Sequence, residues 1–534
     1  MLANTVRGFL ERLTETPLPG FQLSDIPNFP FDEYNNNETR YNLAEQWYSG
    51  EALDETATIN GRDTDLYPVK INPLKSAVEK HTHFLFGEVA QDDRPLVGPR
   101  IIVPSDDKRD VAQKAEDTIV QLWYENNGRA IQWENGANSQ VYGGCVFQLV
   151  YDPADAFRTI PLRIERVHPK YFVGIPYAND MWRLQEAWVV KPITHTEALS
   201  MGVTIADSVD PWLIEHYTER TYEVWVNDQP ARYIKGEIDR PLSGINEWGF
   251  IPIVYIPHIR ITGFYGDNLI DAVTGLVKEI NLRVADFGDA VSVDSHSYLG
   301  MRNVNGAPKV DQLAPGLYVV NVGSTPNITG QDAQPDIFEL RKPSASAPME
   351  NLVTMLYDFF RRLAFIPAVV DGEDEGSQRS GLTLAMRMIS LTAHTDTERI
   401  FWTSGIILLN RMALRMLAIK GENGITIEHA TLRQKLEWSP VLPRDRETIV
   451  SEAVSLVGAK LGSPERLLEL LGVDDVDAEK KLIQKFWEWV AETEAKFAPK
   501  PATATGKPAT KGIPGNSNSA QQGTKAKQEN SDNA

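Results

Sequence analysis

From Asp267 to about residue 297, apolar side chains recur at Val273, Val277, Ile280, Val284, Phe287 and Val291, in alternating steps of four and three. That spacing predicts a helix packed lengthwise on other helices. Asp267, Asp271, Glu279, Asp286 and Asp289 fall on the other half of the same wheel, so the helix is expected to pack on one side and be acidic on the other. Over 267–297 it would be ~46 Å long. A second amphipathic pattern, Leu352, Leu356, Phe359, Phe360 and Leu363, predicts a helix over 348–365 that stops at Pro367. A third helix is expected over 382–419, on the order of 57 Å, which suits a spar in an assembly. Between the first two, 298–342 reads as an insert with strands near 317–322 and 337–340 and turns at Asn305-Gly306 and Pro315-Gly316.

Upstream, helical patterns are expected over 39–48, 73–86, 111–126 and 131–142, with Gly87 and Gly143–Gly144 as stops. From Cys145 to Val226 the period drops to two. Strands are read at 146–151, 162–167, 187–190 and 221–226, with a short one at 101–103. The proline-interrupted segment 251–257 reads as an edge strand or extended lead-in. Further strands are expected at 425–428 and 437–440, then short helices over 445–497. The segment 498–534 is rich in Lys, Pro, Ala, Thr, Gly, Asn and Gln with almost no apolar residues, a composition expected to be disordered.

Composition narrows the class. The chain has 534 residues, 42% hydrophobic and 24% charged, which gives room for several domains of ordinary globular make-up. A net charge of −20 argues against a surface that attracts nucleic acid by charge alone. One cysteine, Cys145, excludes an internal disulfide. No run of 18 apolar residues appears, so no membrane span or membrane partner is expected, and 1–13 reads as a short amphipathic helix instead of a signal peptide.

Candidate chemistry is sparse. Asp371, Glu373 and Glu375 with Gly376 match the early positions of a calcium loop, but the twelfth position, which needs a bidentate carboxylate, is Leu382. An acidic, solvated loop is the expected reading; a metal-dependent hydrolase using these acids is the enzyme alternative. His81 and His83 are two apart and would face away from each other on a helix, with no third ligand in reach. Gly143-Gly-Cys145 lacks triad partners, and a cysteine entering an apolar strand is expected in the core. No phosphate-binding G-x-x-x-x-G-K-[ST] occurs. No catalytic residue, metal site or cofactor is therefore expected.

Several segments together resemble portal proteins of tailed double-stranded DNA bacteriophages. They are Tyr41-Asn-Leu-Ala-Glu-Gln-Trp-Tyr-Ser-Gly50, Ile71-Asn-Pro-Leu-Lys75, Phe84-Leu-Phe-Gly-Glu88, Leu122-Trp-Tyr-Glu-Asn-Asn127, Val141-Tyr-Gly-Gly144, Phe250-Ile-Pro-Ile-Val254, Gly266-Asp-Asn-Leu269, Glu279-Ile-Asn281, Ile366-Pro367, Ser380-Gly-Leu-Thr-Leu-Ala385, and the stretch 456–471. Their order and spacing over about 40–495 carry the likeness; no single motif does.

The resemblance implies an α+β, portal-type multidomain fold. It divides into a wing (1–262), a first stem helix (263–297), a clip (298–348), a second stem helix (349–367), a tunnel loop (368–381), a long helix with a return to the wing (382–444), a crown (445–497) and the tail. It further implies a non-enzymatic ring of about twelve subunits with closed symmetry. The ring sits at one capsid vertex of the virion, is made in the host cytoplasm and is threaded by double-stranded DNA. Implied partners are the terminase large subunit, a head–tail connector or adaptor, and the major capsid and scaffolding proteins. Asp371, Glu373, Asp374, Glu375, Ser377, Gln378 and Arg379 would form the tunnel loop facing DNA. The first stem helix would carry the acidic face named above. A different virion structural or connector protein is the nearest alternative.

Overall fold

A computed structural model describes Leu23, most of 26–294 with short gaps (55, 60–61, 66–68, 88–95, 97, 103–107, 236–237), and then 298–302, 318–321, 336–339, 346–372, 384 and 386–441. In a second unit, which begins at Arg444, it describes parts of 450–468 and all of 476–497. The expected tail and most of the expected tunnel loop lie outside the described residues.

Seven long helices belong to the first unit among the described residues: α1 (Phe31–Ser49), α2 (Pro73–Phe86), α3 (Arg109–Glu125), α4 (Gly128–Tyr142), α5 (Thr274–Asp294), α6 (Ser346–Leu363) and α7 (Ile389–Lys420). The sequence pattern locates α2 closely. Asn72 caps it by accepting the Leu74 amide, Pro73 occupies the first turn, and Leu74, Val78, His81 and Leu85 are buried on one face. α1 starts eight residues earlier than expected. Its polar run Asn35–Asn37 hides the buried positions Tyr34, Asn37, Tyr41 and Ala44, which lie on one side of the helix.

The acidic helix is also displaced. α5 begins at Thr274, so Asp267 and Asp271 precede it. Asp267 pairs with Ile259 in an isolated bridge, and the Asn268 side chain accepts the Asp271 amide, a local turn that competes with helix over 267–271. The expected apolar seam holds from Val273. Val273, Val277 and Ile280 are buried against α6 and α2, while Val284 and Phe287 are half-buried and Val291 is exposed.

Three strands, Ile253–Pro257, Gly144–Tyr151 and Leu162–Val167, form an antiparallel sheet at the centre of the main core. α7 crosses it. Trp402, Ile406, Leu409 and Ala413 pack on Phe147, Leu149, Val254 and Ile256. Trp123 of α3 donates its indole N–H to Asn410 Oδ1 at 3.0 Å, which gives the buried indole its acceptor inside that core. At Gly405 α7 approaches the sheet closely, since a Cβ there would overlap Ile256 Cγ1. Gly405→Leu should destabilise the protein by ~2 kcal/mol or more through overpacking. Adding Ile256→Ala should recover part of the loss, and denaturant midpoints of the single and double variants check this.

A second antiparallel sheet is a meander, Phe172–Tyr177, Asp180–Pro192, Trp212–Thr218 and Thr221–Val226, ending in the short strand Gln229–Pro230. The first and third strands were not anticipated. The second is far longer than the expected 187–190, because its outer half alternates with exposed polar residues. His168 sits where this meander leaves the central sheet, against Tyr142 and Tyr171, and its Nδ1 accepts the Lys170 amide. Burial, aided by Lys170 and Arg166, pulls its pKa down to about 3. The folded chain therefore holds His168 neutral where the unfolded chain protonates it, and this contribution to stability is lost as pH falls from about 6.5 towards 3. The slope should approach ~1.4 kcal/mol per pH unit. His168→Asn should reduce the acid-limb slope of stability against pH by one proton, measurable by denaturant titration at stepped pH.

Two expected strands near 425–440 are corrected. Thr426 forms a capping box with His429 and opens a short helix, Ile427–Thr431. The strand that follows is Arg433–Glu437, which places Gln434 and Leu436 inward and pairs antiparallel with Gly98–Ile102. The insert between α5 and α6 contains a small mixed sheet. Tyr298–Arg302 lies at its centre, parallel to Tyr318–Asn321 and antiparallel to Asp336–Glu339. α7 is long and apolar enough to cross a membrane by length and composition, yet half of its most apolar window is buried against protein. The second unit contributes α8 (Val476–Phe497), with Leu482, Phe486, Trp487 and Trp489 exposed.

Candidate channel-lining site

The expected tunnel loop starts from a sharp helix end. The Ile366 amide bonds to Arg361 O at 2.8 Å and the Phe365 amide to Arg362 O at 3.3 Å, which closes α6 in a Schellman arrangement. The residue that adopts the left-handed conformation there, usually glycine, is Phe365, at φ 55°. Its ring stacks on His394 at 4.5 Å and 17°, a contact that offsets the ~1 kcal/mol backbone cost. Pro367 then ends the helix, a single 3₁₀ turn covers Ala368–Asp371, and Gly372 turns the chain at φ 75°.

Asp371 is the only carboxylate of the 371–375 group among the described residues, and it is not a free acid on an open loop. Lys80 of α2 bonds its Oδ1, and Arg361 of α6 lies 3.3 Å from its Oδ2, an ion pair without the alignment of a hydrogen bond. Two helices thus clamp the base of the loop. Glu373, Asp374, Glu375, Ser377, Gln378 and Arg379 lie outside the described residues, as does Ser380, the expected cap of the following helix. Leu384, Met386 and Arg387 are already helical ahead of α7.

The acidic face expected on the first stem helix is divided among different settings. Asp267 is exposed and holds the bridge to Ile259 through its backbone. Asp271 lies 3.7 Å from Arg40. On α5 itself, Arg283 donates to Glu279 at 2.7 Å and to Asp286 at 2.8 Å, so one cation answers two acids. Asp289 falls within α5. The local field of this face is weaker than the count of acids suggests.

The short segments singled out in the sequence meet around this junction. Asn72 donates to the carbonyls of Trp47 and Tyr48, which ties the end of α1 to the start of α2. Asn281 accepts the Ile71 amide at 2.7 Å and donates to the Ile71 carbonyl at 2.8 Å, so α5 holds the lead-in to α2 as a strand neighbour would. Gly143, at φ 78°, lets Gly266 approach so closely that any Cβ would overlap the Gly266 carbonyl, and Arg40 donates to that same carbonyl at 2.8 Å. Arg399 of α7 donates to Leu85 and Phe84 carbonyls at the end of α2 and lies over the Trp438 ring. These residues satisfy backbone groups at helix junctions.

Beside the junction lies a buried polar cluster that the sequence reading did not assemble. His258, His394 and Glu398 come from the end of strand Ile253–Pro257 and from α7, and their ligand-capable atoms all lie within 4.8 Å of one another. Glu398 is fully buried; its Oε1 accepts from Gln140 at 2.7 Å and from Ser139 at 3.3 Å. Burial pushes its pKa up to about 8 and pulls those of His258 and His394 down to about 3 and about 4. His81, buried on α2, packs edge-on against His394 and bonds Ala364 O at 2.7 Å, while His83 is exposed, so the two do not converge. The one sequence signal for the cluster was His394 four residues before Glu398, a spacing that shares a helix face but is common by chance. Cys145 is fully buried and its thiol pKa is raised, as befits a core residue.

The family profile of phage portal proteins, SPP1 Gp6-like, matches residues 29–488. The chain belongs to this family, a structural and non-enzymatic one whose members are components of the phage virion. The α+β composition fits that assignment. No match was found among curated proteins.

Proposed function

We propose that the chain forms a closed ring at one capsid vertex, that double-stranded DNA passes through it during packaging and ejection, and that the terminase large subunit and a head–tail connector dock on it in turn. The observation that carries this reading is the family match over 29–488, which spans both helices flanking the small sheet and the long helix beyond the acidic loop. In this reading α5 and α6 are the stem, the small mixed sheet belongs to the clip, and 368–381 is the tunnel loop. The loop's acids keep phosphates at a distance; repulsion acting over about 8–10 Å at physiological salt centres a duplex without gripping it. Lysine or arginine there would release counterions and bind the backbone. No catalytic step is assigned to the protein, and capsid and scaffolding proteins are the expected neighbours of its outer surface.

A second feature supports assembly. Met355, Phe359 and Leu363 are 46%, 42% and 50% exposed and follow one another at four-residue steps, forming an apolar stripe on α6 beside the buried one of Leu356, Phe360 and Ala364. A helix apolar on two sides has more surface to bury than one chain covers. Electron microscopy of the purified protein, with native mass spectrometry, tests the proposal. Rings of about twelve subunits around a central hole are expected. A stable monomer at near-physiological salt, or solid particles, overturns it and favours another virion component.

A further inference from the structure

We propose that His258, His394 and Glu398 form a binding site for a divalent transition metal of the zinc class. The argument starts with lone pairs. His258 Nδ1 lies 2.9 Å from the Asp267 carbonyl, which can only accept, so Nδ1 carries the proton and Nε2 presents a lone pair. That Nε2 is buried without a hydrogen-bond partner, and it faces Glu398 Oε2 at 3.9 Å. Glu398 Oε2 is likewise buried and unpartnered, while its other oxygen is held by Gln140 and Ser139. His394 Nε2 is the third buried atom of the cluster without a partner. The three residues bring ligand-capable atoms within 4.8 Å of one another, and each holds a buried atom left unpaired at a cost that paired polar groups avoid.

The surroundings resemble a metal site in their outer contacts as well. Ligating histidines characteristically donate their second ring N–H to a carbonyl, as His258 does, and ligating carboxylates are held by neighbouring donors, as Glu398 is. Two imidazoles and a carboxylate suit zinc or cobalt, with water at the fourth position. In tetrahedral zinc geometry the ligand atoms stand ~3.3 Å apart, so closure on an ion requires side-chain shifts of ~1 Å. Arg399, next in sequence to Glu398, is turned away to the carbonyls of α2 and does not compete for the site. A bound ion would join the end of strand Ile253–Pro257 to α7, next to the His394–Phe365 stack that closes α6.

The rival occupant is a single proton on Glu398, and the experiment separates the two. Full-length protein is stripped with chelator, dialysed, and loaded with Zn²⁺ or Co²⁺, alongside His394→Gln and Glu398→Gln. The glutamine at 398 keeps an oxygen for Gln140 and Ser139, so that variant retains the fold-stabilising contacts. Expected results are one zinc retained per chain, intense visible bands of four-coordinate cobalt, and a melting temperature raised by ~2 °C or more with zinc. Both variants should lose all three while keeping the circular dichroism of the parent. Failure of the parent to retain zinc after dialysis, weak six-coordinate cobalt bands, or retention unchanged in both variants overturns the site.

Discussion

Replacing Glu373, Asp374 and Glu375 with lysine is expected to give rings that assemble but package DNA slowly or stall. Each substitution changes the charge by two, so three of them, repeated round about twelve subunits, add ~70 positive charges beside one duplex. Phosphate binding then becomes strong and steeply salt-dependent, and packaging should recover in part as salt rises. Asp371 is left out of the set because Lys80 and Arg361 hold it; changing it would disturb the base of the loop as well as its charge. Arg379→Ala should be far milder. The readout is DNA translocation in a packaging assay over a salt series, with ring formation checked in parallel. A triple-lysine variant that packages like the parent would place the loop away from the DNA path.

The companion result concerns the ring itself. Phe359→Asp combined with Leu363→Asp is expected to leave a folded subunit that no longer assembles. Both side chains are more than two-fifths exposed in the single chain, so the substitution removes little of its own core. At a subunit interface the same two carboxylates would be desolvated against apolar surface, and association should weaken ~100-fold or more. Analytical ultracentrifugation measures the shift from ring to subunit, and an unchanged circular dichroism spectrum shows that the fold survives. Leu356→Asp, directed into the core that α6 shares with α5, should instead unfold the junction.

Local periodicity made most helices legible, and long-range partners explain most of what it missed. α2 announces itself through Asn72, Pro73 and a one-sided apolar face. α1 does not, because the buried Asn37 looks like solvent-facing polarity until the surrounding residues are known. The stretch 267–271 carries acids in step with α5, yet side-chain competition from Asn268 and the bridge to Ile259 override the helix. The strand Arg433–Glu437 was misplaced because its inward residue Gln434 is polar and its partner, Gly98–Ile102, lies more than three hundred residues away. The buried cluster was least legible of all. His258 and Glu398 come from elements distant in sequence, and only the crossing of α7 over the central sheet brings them together.

The clamp on Asp371 has a mechanical meaning. A tug on the chain at Gly372 meets this carboxylate, where cations on two separate helices share the load. Neither pair is deeply buried, so each can let go and re-form at small cost. The fastening slips before the helices do, and a pull at Gly372 would be spent at Asp371 before the closing turn of α6 begins to unwind.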